Sequence, residues 1–412
     1  MKTVTLLAAL LLLNSAPLYA QTGDGPVDFN KARQLMERQR SGATLTADEK
    51  AYLDRALAER QKRPGAASAP GADGIDWQKA QSLFRRNQAG EKLTPEEDAY
   101  LKRAMAARNA GGSRGGGGGA GQRKPPERLI PLTDMGAGDR YEGEDGGLYG
   151  GGRNTPPDSQ RKAAEAQLAK IRALNADGEP DEAGTIGFVA ISMSNATQEF
   201  SHFKRIADPS PLKSGKVTIV DCAQGGQAMA EWVAADARPW EEAKRRLAVA
   251  KVSPRQVQVA WIKLANKAPG GSLQDHGRKL EKDTLAVLQN ARTMFPNLRI
   301  AYLGSRTYGG YSNGGLNPEP YAYESAFAAR WLIQRQIKGD PELAPARSPV
   351  LLWGPYLWAE GAKGRKADTL VWNRDDFVAD AVHPSESGRQ KVADLLLNFL
   401  TTDPLAKTWF AK

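Results

Sequence analysis

The sequence predicts an α/β protein of three layers, α/β/α, on a flavodoxin-like parallel sheet, preceded by a duplicated helical hairpin region. Three observations predict it. Short apolar runs rich in β-branched residues recur from Gly184 onward, bounded by glycine or turn residues, as strands buried on both faces of a parallel sheet require. Longer stretches of helical periodicity separate them, the alternation expected of right-handed βαβ crossovers. Upstream, residues 28–63 recur at 76–108 with one constant offset.

Residues 1–20 carry Lys2, a leucine-rich core over 6–13 and a small residue, Ala20, before Gln21. This is the pattern of a secretory signal peptide, too short for a membrane anchor and followed by no stop-transfer segment. Position 21 is not cysteine, which excludes lipid attachment there. The expectation is a soluble periplasmic or secreted protein with no membrane span.

In the repeat, Asp28-Phe29 matches Asp76-Trp77, Lys31-Ala32 matches Lys79-Ala80, and Ala51-Tyr52-Leu53 matches Ala99-Tyr100-Leu101. Each copy reads as helix, glycine turn, helix. Phe29, Ala32, Leu35 and Met36 share one helical face, as do Trp77, Ala80, Leu83 and Phe84. The second helix of each copy opens on a capping box, Thr46 with Glu49 and Thr94 with Glu97. Cores this thin predict packing against each other or a partner, so the repeats read as an appended spacer or adhesion module for envelope or protein contact, with self-association as the alternative. The turns lack the carboxylates of a calcium loop. Residues 109–127 are glycine-rich and end near Lys124-Pro125-Pro126, a flexible linker ahead of an α/β domain over 128–412. A second glycine-rich stretch, 136–153, is interleaved with Asp139, Tyr141, Glu142, Glu144, Asp145 and Tyr149; composition leaves open whether it wraps the next domain.

Within that domain, a strand is expected from Gly184 to about Ser194, and others at 216–223, 257–264, 298–303 and 350–353. Helices are expected at 160–174, 226–235, 275–295, 322–337 and 387–401. The first strand delivers Ser194 just past its end, and a helix follows that Asn195 or Thr197 could cap, with Glu199 near its positive end. The second strand leads into Gln224-Gly225-Gly226, whose glycines can turn a backbone N–H toward the sheet edge. The third ends near Asn266, an amide donor, and Asp380-Ala381-Val382-His383 precedes the last helix. One sheet edge, where open α/β folds place their ligands, thus offers a hydroxyl, backbone and amide donors, and a carboxylate–imidazole pair. Acyl transfer needs those parts: a ring to take the proton, a carboxylate to orient it, and donors for the oxyanion. The chain order Ser, Asp, His is one that serine hydrolases use.

Over about residues 183–402 the chain resembles the SGNH (GDSL-like) hydrolase superfamily of esterases, lipases and carbohydrate deacetylases. Ser192-Met193-Ser194-Asn195 stands where Gly-Asp-Ser is usual, Gly226 matches the second-block glycine, Asn266 the third-block asparagine, and Asp380 with His383 the Asp-x-x-His, continuing Pro384-Ser385-Glu386-Ser387-Gly388. Ser192, Met193, Leu264 and Lys267 depart from the pattern and mark a divergent branch. The resemblance implies Ser194 as nucleophile, His383 as base and then acid, Asp380 as its orienting carboxylate, and an oxyanion hole from the N–H of Ser194, Gly226 and Asn266.

The stretch 305–321 leaves the same edge, and its Tyr308, Tyr311 and Asn313 suit stacking on and hydrogen bonding to a sugar; Trp353, Tyr356 and Trp358 follow the fifth strand similarly. A net charge of +10 is spread among acids rather than gathered in one basic run, which together with export argues against nucleic acid and for mild attraction to acidic glycans or an anionic cell envelope. The single cysteine, Cys222, excludes an internal disulfide. Three histidines and no acidic cluster at ligand spacing leave a metal hydrolase little to work with, and no cofactor is expected. His202 and His276 fall on polar helical stretches. The expected function is an exported serine esterase acting on acetyl or other small acyl esters of a carbohydrate or cell-envelope glycan. The alternative is a non-catalytic carbohydrate- or envelope-binding protein on the same scaffold.

Overall fold

A buried strand sends alternate side chains to opposite faces, so each strand here feeds two cores. In the computed structural model, the chain is described over residues 35, 46–62, 75–76, 79–80, 82–83, 86, 93–111, 123, 126 and 128–412, with Asn313 and Gly314 left out. The expected signal peptide, half of the first repeat, part of the second with Trp77 and Phe84, and residues 112–122 of the expected linker lie outside the described residues. Two units are distinguished, Met1–Ala104 and Met105–Lys412.

In the first unit, helix α1 (Ala47–Lys62) opens on the Thr46–Glu49 capping box, each residue's backbone N–H donating to the other's side chain. Leu35, Leu53 and Ala56 form a small cluster with Tyr52 against it. Helix α2 (Pro95–Gly111), which begins in this unit and ends in the second, opens on the matching Thr94–Glu97 box and runs three residues past the expected end of the repeat.

The second unit holds a five-stranded, all-parallel sheet in the order β2-β1-β3-β4-β5, flanked by helices: a three-layer α/β/α fold. Strand β1 (Ile186–Ser192) pairs with both β2 (Val217–Asp221) and β3 (Val257–Lys263), with β4 (Ile300–Leu303) and β5 (Val350–Trp353) beyond. Val189 and Ile191 of β1 enter one core with α6 (Arg238–Val249), α7 (Arg278–Met294) and α8 (Tyr321–Ile337). Phe188 and Ala190 enter the other with α3 (Asp158–Leu168), α4 (Ser194–Ala207), α9 (Glu386–Thr402) and α10 (Lys407–Phe410). The chain order reverses between β1 and β3, and the cleft at their carboxyl ends is where such sheets hold ligands.

Two helical expectations are corrected. The helix expected over 160–174 stops at Leu168, because Leu174 leaves to bridge Thr185 and Pro180. The one expected over 226–235 is only α5 (Met229–Trp232), and the crossover to β3 is carried by α6, whose Pro239 starts it and whose Trp240, Ala243 and Leu247 line its buried face. Residues 128–153 do wrap the domain. Leu132, Met135, Tyr141 and Leu148 enter the first core, the Tyr141 hydroxyl donates to Glu324 at 2.5 Å, the Trp353 indole to the Leu148 carbonyl at 2.6 Å, and Arg330 pairs with Glu144.

Candidate functional site

Strand β1 ends at Ser192, whose hydroxyl donates to the Lys263 carbonyl and ties the ends of β1 and β3 together. One residue later Met193 is the N-cap of α4 with extended backbone and no side-chain cap. Neither expected capping residue serves: the Thr197 hydroxyl donates to Asp221 at 2.5 Å, and Asn195 accepts from the Ala196 N–H. Ser194 is therefore the first residue of the helix, at the positive end of its dipole.

The last loop brings the other groups to it. Asp376 anchors that loop: its carbonyl accepts from the Ser385 N–H at 2.9 Å, and its carboxylate accepts from the Asn373 N–H and from Lys391. Asp380 Oδ1 then accepts the backbone N–H groups of Val382 and His383, both at 2.9 Å, across a turn that holds Ala381 at a φ of 57°. Asp380 Oδ2 lies 2.6 Å from His383 Nδ1, and His383 Nε2 lies 2.7 Å from Ser194 Oγ. An ionised carboxylate only accepts, so Nδ1 carries the proton and Nε2 is left as acceptor for the serine hydroxyl. Burial works to raise the Asp380 pKa, but hydrogen bonds from the His383 ring and from the two N–H groups outweigh it and hold the carboxyl below its usual value.

Gly388 sits where this loop meets α9, and a Cβ there would stand 2.1 Å from the Asp376 carbonyl oxygen. Gly388→Ala is expected to cost about 2–3 kcal/mol by forced displacement of backbone, read as a lower urea midpoint. An unchanged midpoint would show that the loop yields freely.

Gly226 and Asn266 follow β2 and β3 at the same sheet edge. Gly226 has a φ of 78° with open space where a Cβ would lie, so backbone conformation alone calls for glycine. Asn266 Nδ2 donates to the His276 carbonyl at 3.0 Å, which orients the amide and occupies one of its two protons. Tyr308 and Tyr311 are half-buried and meet edge to face at 5.0 Å, with the Tyr311 hydroxyl donating to the Trp372 carbonyl at 2.8 Å. Asn313 lies outside the described residues. Trp353, Tyr356 and Trp358 are buried in the first core and pack rather than face a ligand, a correction to the sugar-binding expectation. His202 and His276 are also buried, not on polar faces: His202 Nε2 bonds Gln390 at 2.7 Å and His276 bonds Glu324.

Sequence reasoning missed a set of buried charges behind Ser194. Glu199 does not sit free at the helix start but pairs with Lys263, both fully buried, and burial pushes Lys263 down to about 8 against the pull of Glu199. Arg306, three residues past β4, is buried beside them. A charged residue ending an apolar strand was the available signal. Glu319 is a further buried carboxyl, accepting from the N–H groups of Gly309 and Tyr323 and from the Trp358 indole. Burial pushes it up to about 7 despite those bonds. The folded chain therefore holds a proton there that the unfolded chain releases, so this contribution is full below about 4.5 and lost as pH rises through about 7. Relative to Glu319→Gln, wild-type stability in urea is expected to fall by about 3 kcal/mol over that window; a pH-independent difference would overturn the assignment.

No family model matches the chain, and no curated protein matches it. Among solved structures, it is similar to a Bacteroides fragilis protein provisionally described as an acylhydrolase, at 10% identity and a TM-score of 0.34 over 61% of this chain and 100% of that one. The periplasmic domain of a lipopolysaccharide acetyltransferase from Salmonella ser. Paratyphi A gives 14% identity and 0.31 over 60% and 96%. An Arabidopsis thaliana protein gives 14% and 0.27 over 50% and 67%. At these values the likenesses decide nothing about the chemistry of this chain, which is argued from its own side chains. No helix among the described residues is long and apolar enough to cross a membrane.

Proposed function

We propose that this chain is a serine hydrolase of carboxylic esters. The observation that carries the reading is the continuous hydrogen-bonded line from Ser194 Oγ through His383 to Asp380. His383 Nε2 takes the hydroxyl proton as Ser194 Oγ attacks the ester carbonyl. Asp380 holds the ring in the tautomer that can accept and stabilises the imidazolium that forms. The same Nε2–H is then given to the departing alcohol oxygen, leaving an acyl-serine. Water, deprotonated by His383, attacks that acyl group; the bond to Ser194 Oγ breaks, the Nε2 proton returns to that oxygen, and the acid is released. The oxyanion sits against the backbone N–H groups of Ser194 and Gly226 and the remaining amide proton of Asn266, at the N-terminus of α4. No cofactor enters this scheme.

The substrate in this reading is an acetyl or other small acyl ester on a carbohydrate or cell-envelope glycan, met outside the cytoplasm after removal of residues 1–20, with the helical repeats contacting envelope or protein. Tyr308 and Tyr311 are the aromatic groups at the edge that retain exposure for a sugar face. A fluorophosphonate probe is expected to label the purified protein on Ser194, and a panel of acetylated glycans to release acetate. No label at Ser194, with glycan affinity intact, would favour a binding protein instead.

A further inference from the structure

Arg306 is a cation that the fold does not use. It is 5% exposed, and its Nε and Nη1 are closed to solvent and have no hydrogen-bond partner. Nη2 is the one guanidinium nitrogen not among those closed, unpartnered atoms. Burying an unpaired cation costs several kcal/mol, so proteins rarely keep one without a use for it.

Charge compensation does not account for it. The carboxylates whose field it feels are Glu199, Glu319 and Asp380, and each is engaged elsewhere. Glu199 pairs with Lys263, Asp380 accepts from the His383 ring and two N–H groups, and Glu319 accepts from two N–H groups and an indole. None of them reaches the guanidinium within hydrogen-bond distance among the described residues. Arg306 also lies at the carboxyl edge of the sheet, beyond β4, with Lys263 of the neighbouring strand and Asp380 of the catalytic line both near enough to couple to it.

We propose that Arg306 binds a carboxylate carried by the substrate, which makes the substrate class an ester of an acidic sugar, a uronate. The identity of the reacting ester rests on the serine-hydrolase reading; the anion site does not. A carboxylate suits the site better than a phosphate. One guanidinium can satisfy the single charge of a carboxylate, whereas a phosphate dianion needs several donors and would meet more strongly the field of the Glu199 and Asp380 carboxylates. The net charge of +10 favours encounter with acidic glycans as well.

The test compares 4-acetoxybenzoate with 4-acetoxybenzamide, esters alike in size that differ in one charge. Wild type is expected to prefer the carboxylate in KM by about 10-fold or more, the worth of one charge-assisted hydrogen bond. Arg306→Gln should bring the KM ratio of the two esters to about one, a ratio that a general change in rate does not move, and Arg306→Lys should recover part of the preference. Because the cation is unpaired, Arg306→Gln should also hold or raise the unfolding midpoint, where loss of a structural ion pair would lower it. Equal loss on both esters, no wild-type preference, or a lowered midpoint in Arg306→Gln would overturn the proposal. Calorimetry with galacturonate, galactose and inorganic phosphate separates the two readings. If wild type hydrolyses neither ester yet it and Ser194→Ala bind galacturonate over galactose through Arg306, the hydrolase reading fails and the site stands. Absence of that binding, or tighter binding of phosphate, removes the site.

Discussion

Ser194→Ala is expected to lower kcat for an activated acetyl ester by about 10⁴- to 10⁶-fold, with the fold and the unfolding midpoint unchanged. The size follows from the unit that the three residues form: without Oγ, the ring has no proton to take and no acyl-serine can form. The companion substitution is Asp380→Asn. Its amide oxygen can still accept the N–H groups of Val382 and His383, which turns the amide nitrogen toward His383 Nδ1. That nitrogen donates, so the ring must carry its proton on Nε2 and can no longer accept from Ser194; kcat is expected to fall about 10⁴-fold with geometry intact. Stopped assays with titrated active sites check both. If Ser194→Ala retained more than about a tenth of the wild-type rate, an amount no triad mechanism allows, the proposed chemistry would be wrong.

Lys263→Met carries the largest expected loss of stability. It leaves Glu199 as a buried carboxylate without its partner, on the buried side of the nucleophile helix, at a cost of about 3–5 kcal/mol. The second substitution decides the cause: Glu199→Met with Lys263→Met replaces the pair by apolar groups of similar volume and is expected to return stability to near the wild-type value or above it. Urea titrations of the four proteins give the coupling. A single-variant loss below about 1 kcal/mol would show that another cation, Arg306 or Arg389, both of which feel the field of Glu199, takes over the carboxylate, and the Arg306 proposal would then have to meet that result too.

Much of the scaffold was legible in advance because burial on both faces writes itself into a strand as an unbroken apolar run. All five strands fell within two residues of their expected ends, and the capping boxes at Thr46 and Thr94 are visible as spacing alone. Helix α6 was less legible. Glycines 225 and 226 drew the expected helix too early, whereas Pro239 and the face formed by Trp240, Ala243 and Leu247 start it later. Trp353, Tyr356 and Trp358 could not be told from ligand-facing aromatics, since residue type does not say which layer covers a side chain.

By itself the sequence determined the α/β class, the order of strands and helices, the repeat, and the set of groups that a sheet of this kind carries to one edge, because these depend on local periodicity and on the handedness of the crossover. Only tertiary structure decided what those groups touch. The line from Ser194 through His383 to Asp380 joins residues nearly 190 positions apart, and the Glu199–Lys263 pair and the unpartnered Arg306 come from three different segments. Pairing and desolvation depend on distance and on what excludes water, and neither is a property of any one stretch of chain.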